Sequence, residues 1–180
     1  MFVFLLYDKI FYYIVFMKHS LFNLNNIRIE ISFKSLDELR KILSFYESNN
    51  LYKINIPCKN SLKKDFLLES IRISREEFPN IDIVPHFSIL HEFKRSMINT
   101  QASFLDFLQA VKSLGCKHVL LVSGSQKRSS LDSVSSLTML KHNPILFNKD
   151  ILIGVAFNPY LKGFLFDEEI LRLEKNFNQV

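Results

Sequence analysis

Glycine is scarce: the chain has 4 in 180 residues, and this excludes two common nucleotide-binding designs. A dinucleotide fingerprint needs three glycines around one strand-to-helix turn, and a Walker A loop needs two in quick succession. The turn after Ile31 contains none. Cysteine is nearly as rare, with 2 residues, Cys58 and Cys116, outside any CxxC pair or compact Cys/His cluster. That excludes a closed zinc site and a disulfide-rich secreted scaffold, leaving buried or half-buried thiols as the reading. Dense basic tracts are missing too. The formal charge is +5, but 23 basic residues are offset by 18 acidic ones, and only short groups such as Lys63-Lys64 and Lys127-Arg128 occur. Nucleic-acid binding is not expected from such a pattern.

An uninterrupted long apolar run is also absent. Residues 2–16 are strongly apolar and aromatic, yet Asp8-Lys9 breaks them, whereas a membrane span wants roughly 20 continuous apolar residues. No basic region precedes the run and no small-residue cleavage site follows it, so a signal peptide fits poorly. Residues 1–26 read as an apolar N-terminal extension, an interfacial or domain-packing helix or else a poorly ordered start, with no transmembrane insertion and a cytoplasmic location expected. The body, residues 27–180, carries the globular character of the chain, with 48% hydrophobic and 23% charged residues overall.

From residue 27 one unit repeats. Ile27-Arg28-Ile29-Glu30-Ile31-Ser32 alternates as a strand does. Ser35 followed by Glu38 has capping-box spacing, and Leu36, Leu39, Ile42, Leu43 and Tyr46 recur at helical intervals until Asn49-Asn50. Residues 52–57 give a second strand ending at Pro57, and residues 63–77 a second helix with Phe66, Leu67, Ser70, Ile71 and Ser74 on one face. Residues 81–87 form the third strand. A polar stretch, 94–101, leads to a helix from Phe104 to Leu114, closed by Gly115 in the left-handed conformation. His118–Val122 is an aliphatic strand suited to burial on both faces. A serine-rich helix over Leu131–Leu140, a fifth strand at Ile151–Ala156 and a helix over Asp167–Phe177 complete the series.

Five strand-helix units predict parallel pairing through right-handed crossovers. Periodicity leaves two arrangements open, a doubly wound sheet and the first five units of an eight-unit barrel. Ligands in either gather beyond the carboxyl ends of the strands. The polar residues at those ends are Glu30 and Ser32, Asn55, His86 and Ser88, Ser123 to Ser125, and Asn158. Glu30, between two isoleucines, either faces a polar pocket or meets a basic partner on the outer face. His86 suits anion contact or proton transfer, or is a histidine satisfied by backbone. Gly124 allows close backbone approach between Ser123 and Ser125 to hold phosphate, or makes a plain turn. Glu30 and His86 lack a third ligand, so no metal site is expected, and spacing selects no Ser/His/Asp triad.

The body resembles the methylenetetrahydrofolate reductase family. The resemblance rests on Ile29-Glu30-Ile31, Val84-Pro85-His86-Phe87, the segment from Phe104 through Gly115 to Val122-Ser123-Gly124-Ser125, and Ile153-Gly154-Val155-Ala156-Phe157-Asn158-Pro159, in the family's order. It implies a flavin-containing (βα)8 barrel that uses a reduced nicotinamide to reduce a folate-bound one-carbon group. Glu30 aligns with the family's catalytic acid and His86 with a histidine that helps hold FAD. Ser123-Gly124-Ser125 stands where the family has Arg-Gly-Asp, and Asn158 where it has a flavin-facing tyrosine. Loss of two charges and an aromatic surface implies weak or absent FAD binding. The length, below the roughly 250 residues of a complete barrel, implies a partial TIM-type barrel of about five parallel strand-helix units. The implied product is a truncated or degenerate reductase-like protein of one-carbon metabolism, with activity in the isolated chain in question. The alternative is a non-catalytic structural or interaction protein that assembles, as a homo-oligomer or with a complementary chain, through exposed barrel edges.

Overall fold

The computed structural model describes residues 28–58, 64–89, 97–123, 132–142, 151–156 and 161–177, so the apolar extension at 1–26 lies outside the described residues. The chain divides into two compact units, one holding the sequence through Pro57 together with Lys63–Val84, the other Cys58–Leu62 and Pro85–Val180.

The first unit contains β1 (Ile29–Glu30), α1 (Leu36–Ser48), β2 (Lys53–Ile56), α2 (Lys64–Glu77) and the opening residues of β3 (Asp82–Ser88). β1 and β2 are parallel, with Ile29 beside Ile54 and Glu30 beside Asn55. The alternation over residues 27–32 predicts a longer strand; among the described residues β1 stops at Glu30, although the Ile31 N–H still donates to the Asn55 carbonyl at 3.1 Å. Ser35 caps α1 as its spacing predicts, its hydroxyl accepting from the Glu38 N–H at 3.2 Å. The Glu38 carboxylate turns back to the Lys34 N–H at 2.7 Å, one residue short of the reciprocal contact a full capping box makes. At the other end Asn50 takes φ 58°, a left-handed conformation that asparagine tolerates.

Leu39 and Leu43 of α1 and Leu67, Ile71 and Ile73 of α2 are buried with Ile54 and Ile56 of β2. Ser70 and Ser74 lie in the same core. Their hydroxyls donate to the Phe66 and Ser70 carbonyls, each at 2.7 Å, which removes the cost of burying them. On the surface Arg40 of α1 forks onto the Glu77 carboxylate of α2, with Nε and Nη2 both at 2.9 Å.

The second unit contains the rest of β3, α3 (Met97–Ser113), β4 (His118–Val122), α4 (Ser133–Lys141), β5 (Leu152–Val155) and α5 (Phe164–Phe177). β3, β4 and β5 pair in parallel in chain order. Phe87 packs on Phe104 and Phe107 of α3 with ring centroids 4.8 and 5.3 Å apart, which fixes the helix against the strand. α3 begins at Met97, within the polar stretch that reads as a lead-in. Its first turns hold exposed Ile98 and Asn99 but buried Thr100 and Ser103, so hydroxyls occupy core-facing positions that an apolar pattern does not reveal. Gly115 ends α3 as predicted, at φ 77°, with the Cys116 N–H reaching back to the Val111 carbonyl at 3.0 Å. β4 has its predicted span. α5 starts three residues before Asp167, because the Gly163 carbonyl already accepts from the Phe166 N–H at 2.9 Å.

Both units are α/β, and every strand pairing within them is parallel.

Candidate functional site

Strand alternation decides which side chains share a face. In the first unit Glu30 and Asn55 are register partners, so they project to one side of the β1–β2 ladder while Ile29, Ile31, Ile54 and Ile56 project to the other. Glu30 is half-buried; Asn55 is 1% exposed, and its Oδ1 has no hydrogen-bond partner among the described residues. A carboxyl group beside a buried amide can receive donor-bearing groups, since a carboxylate and an amide oxygen both accept. Two residues earlier Arg28 is already committed. Its Nη1 donates to the Ile54 and Asp82 carbonyls, each at 3.0 Å, and its Nη2 pairs with the Asp82 carboxylate. Arg28 therefore ties the starts of β1 and β3 together, a structural task that its place in an alternating strand does not announce.

In the second unit the contact of Phe87 with α3 places His86 and Ser88 on the opposite face of β3, beside Leu120 and Val122 of β4. Both are buried, at 6% and 5% exposure. Glu30 belongs to the first unit and His86 to the second. Gly124, Ser125 and Asn158 lie outside the described residues.

Ser123, just past β4, is half-buried and has a defined task. Its Oγ accepts the Ser133 N–H at 3.1 Å at the start of α4, leaving its own O–H to donate onward. The start of α4 is closed further by Asp132, whose Oδ1 accepts the Ser135 N–H at 2.8 Å, while the Ser135 hydroxyl accepts the Asp132 N–H at 2.9 Å. This is a complete capping box at the start of a serine-rich helix. Arg172 of α5 then reaches across. It donates through Nη1 to the Ser133 Oγ at 2.7 Å, through Nη2 to the Ala156 carbonyl at 2.5 Å, and through Nε and Nη2 to Glu169 at 2.7 and 2.6 Å. The ends of β4 and β5 are thereby fastened to the starts of α4 and the body of α5. The only local signal in sequence is the Glu169–Arg172 spacing of three; Ser133 is 39 residues away.

The same unit holds an open groove of about 850 Å³ between α4 and α5, with Asp132 and Glu168 toward the helix starts and His142 and Lys175 toward the helix ends. None of the described strand-end residues singled out by sequence lines it. The shifted carboxyls are also helical. Arg40 holds Glu77 below the usual glutamate range, and Arg72, 2.5 Å from Glu69, does the same there. Burial raises the Tyr46 phenol. Among the described residues no three His, Cys, Asp or Glu side chains gather as metal ligands would, and no helix is long and apolar enough to cross a membrane.

At the described strand ends of the second unit stand the hydroxyls of Ser123 and buried Ser88 and a histidine almost wholly enclosed, while the nearby guanidinium of Arg172 donates to internal acceptors. Compared with known proteins, the chain matches no family model and no curated sequence.

Proposed function

We propose that this chain is a reductase-like protein of partial (βα) barrel type, related to the methylenetetrahydrofolate reductases, that binds FAD weakly and turns over slowly or not at all by itself. Support comes from the polar residues at strand ends, above all buried His86 with Ser88 on the face of β3 turned away from α3. Both polar side chains stand at the carboxyl end of β3, the end from which ligands are reached in parallel α/β folds. In this reading Glu30 is the acid, His86, Ser123, Gly124, Ser125 and Asn158 face the cofactor, and a reduced nicotinamide and a folate are the substrates. The neutral donor set keeps FAD affinity low.

Titration calorimetry of the full chain tests it. FAD should bind more weakly than about 10 μM, and His86→Ala should weaken it further by about tenfold. A one-to-one complex of micromolar or tighter affinity would make the chain a competent flavoprotein. No heat of binding up to about 1 mM would remove the flavin reading.

The second reading, a non-catalytic assembling protein, is favoured by the exposed apolar residues of β5 and α5, with Leu152 at 62%, Phe164 at 73% and Leu171 at 55% exposure.

A further inference from the structure

We infer that the groove between α4 and α5 is a self-association surface that seats the α5 helix of a second copy of this chain, antiparallel to its own. The inference is independent of any cofactor. Phe164, Glu168, Leu171 and Lys175 follow one another at spacings of four, three and four, so they form a single stripe along α5. All four are exposed, while Phe166, Ile170 and Leu173 on the opposite side are half-buried. Exposed leucines taken singly mean little. Here Leu171 sits between an acid and a base on one face, and all three line the groove, together with the Asp132 carboxylate at the start of α4.

That arrangement is self-complementary under a two-fold rotation. Residues 168 and 175 are separated by two helical turns, about 10.5 Å. If a second α5 lies antiparallel so that Glu168 of each copy meets Lys175 of the other, Leu171 of each copy falls beside the axis. The partner's lysine then also approaches Asp132, and the partner's glutamate approaches His142. A parallel arrangement would oppose like charges at both ends. An isologous contact uses each patch twice, which is how a modest surface holds a closed dimer. Arg172 does not disturb the pattern, because its guanidinium is turned inward to Ser133, Ala156 and Glu169.

Light scattering on size-separated full-length chain, at rising concentration and at low and high salt, reads this directly. The wild-type chain should reach the mass of a dimer, and more readily at low salt. Lys175→Glu and Glu168→Lys should each weaken association by about tenfold or more with an unchanged far-UV spectrum, and the double reversal should restore it to within a few-fold. Leu171→Asp should give a monomer. A wild-type chain that stays monomeric at the highest concentration overturns the inference. So does a dimer indifferent to both single reversals, which would use another surface, or a double reversal that remains monomeric while folded.

Discussion

Replacing Arg172 with methionine keeps most of the stem and removes every hydrogen bond it donates. The Ala156 carbonyl and the Ser133 hydroxyl lose donors at 2.5 and 2.7 Å, each worth about 1 kcal/mol in a half-buried setting. Glu169, 13% exposed in its side chain, loses a forked guanidinium that is itself 22% exposed. That pair falls between the surface value of under about 1 kcal/mol and the several kcal/mol of a buried one, so about 1–2 kcal/mol is reasonable. The sum is about 3–4 kcal/mol, and the lower figure is carried forward. With a urea dependence of about 2 kcal/mol per molar, the unfolding midpoint should fall by about 1.5 M. Arg172→Lys should recover less than half, because one compact ammonium cannot reach acceptors spread around the Nε, Nη1 and Nη2 of a guanidinium. Urea unfolding followed by circular dichroism gives the number. A loss under about 0.5 kcal/mol for Arg172→Met would show that the fastening between β5, α4 and α5 contributes nothing, and the reasoning about strand-end rigidity would fail with it.

Ser123→Ala removes the acceptor for the first N–H of α4 and should cost about 1 kcal/mol, read by the same unfolding curve, while Ser123→Thr should retain most of the stability. Asn55→Leu replaces a buried amide whose oxygen has no partner among the described residues by an apolar side chain of similar volume, and should leave stability within about 1 kcal/mol of wild type or raise it; a loss above about 2 kcal/mol would mean that the amide is satisfied. Glu77 has its folded pKa lowered chiefly by the hydrogen bond from Arg40, so the pair's stabilisation is present above the unfolded value of about 4.3 and is lost as pH falls through the lower folded value. Carboxyl carbon NMR should place the Glu77 midpoint below that of a free glutamate, and Arg40→Gln should return it.

The parts of the fold legible in sequence are those fixed by local chemistry. The aliphatic run at His118–Val122 could only be a covered strand, Ser35 announced the start of α1, and Gly115 was needed where α3 turned left-handed. What escaped depends on partners far away in sequence. The first turns of α3 carry hydroxyls into the core, which an apolar count misreads as a loop. The alternation of β1 predicts six residues of strand; among the described residues the parallel register covers Ile29 and Glu30, with one further bond from the Ile31 N–H to the Asn55 carbonyl. The strand-end rule put Glu30, Asn55, His86, Ser88 and Ser123 at or beside the carboxyl ends of strands, where the structure has them, because the end of a strand can be read from where an apolar run stops. It had no means of finding Arg28 or Arg172. Each acts on carbonyls and carboxylates brought near only by folding, Asp82 from 54 residues away and Ser133 from 39.

The bond from the Ser133 N–H to the Ser123 oxygen has an electrical consequence. The first amides of a helix carry its positive pole, about half an elementary charge. When one of them donates to a hydroxyl, the hydroxyl becomes the more polarised donor, since successive hydrogen bonds in a chain strengthen one another. Ser123 therefore extends the positive pole of α4 outward by one hydroxyl, about 3 Å, past the end of β4. A neutral side chain in that position presents to its surroundings a proton more acidic in character than an ordinary serine's, aimed by a helix rather than by a neighbouring cation.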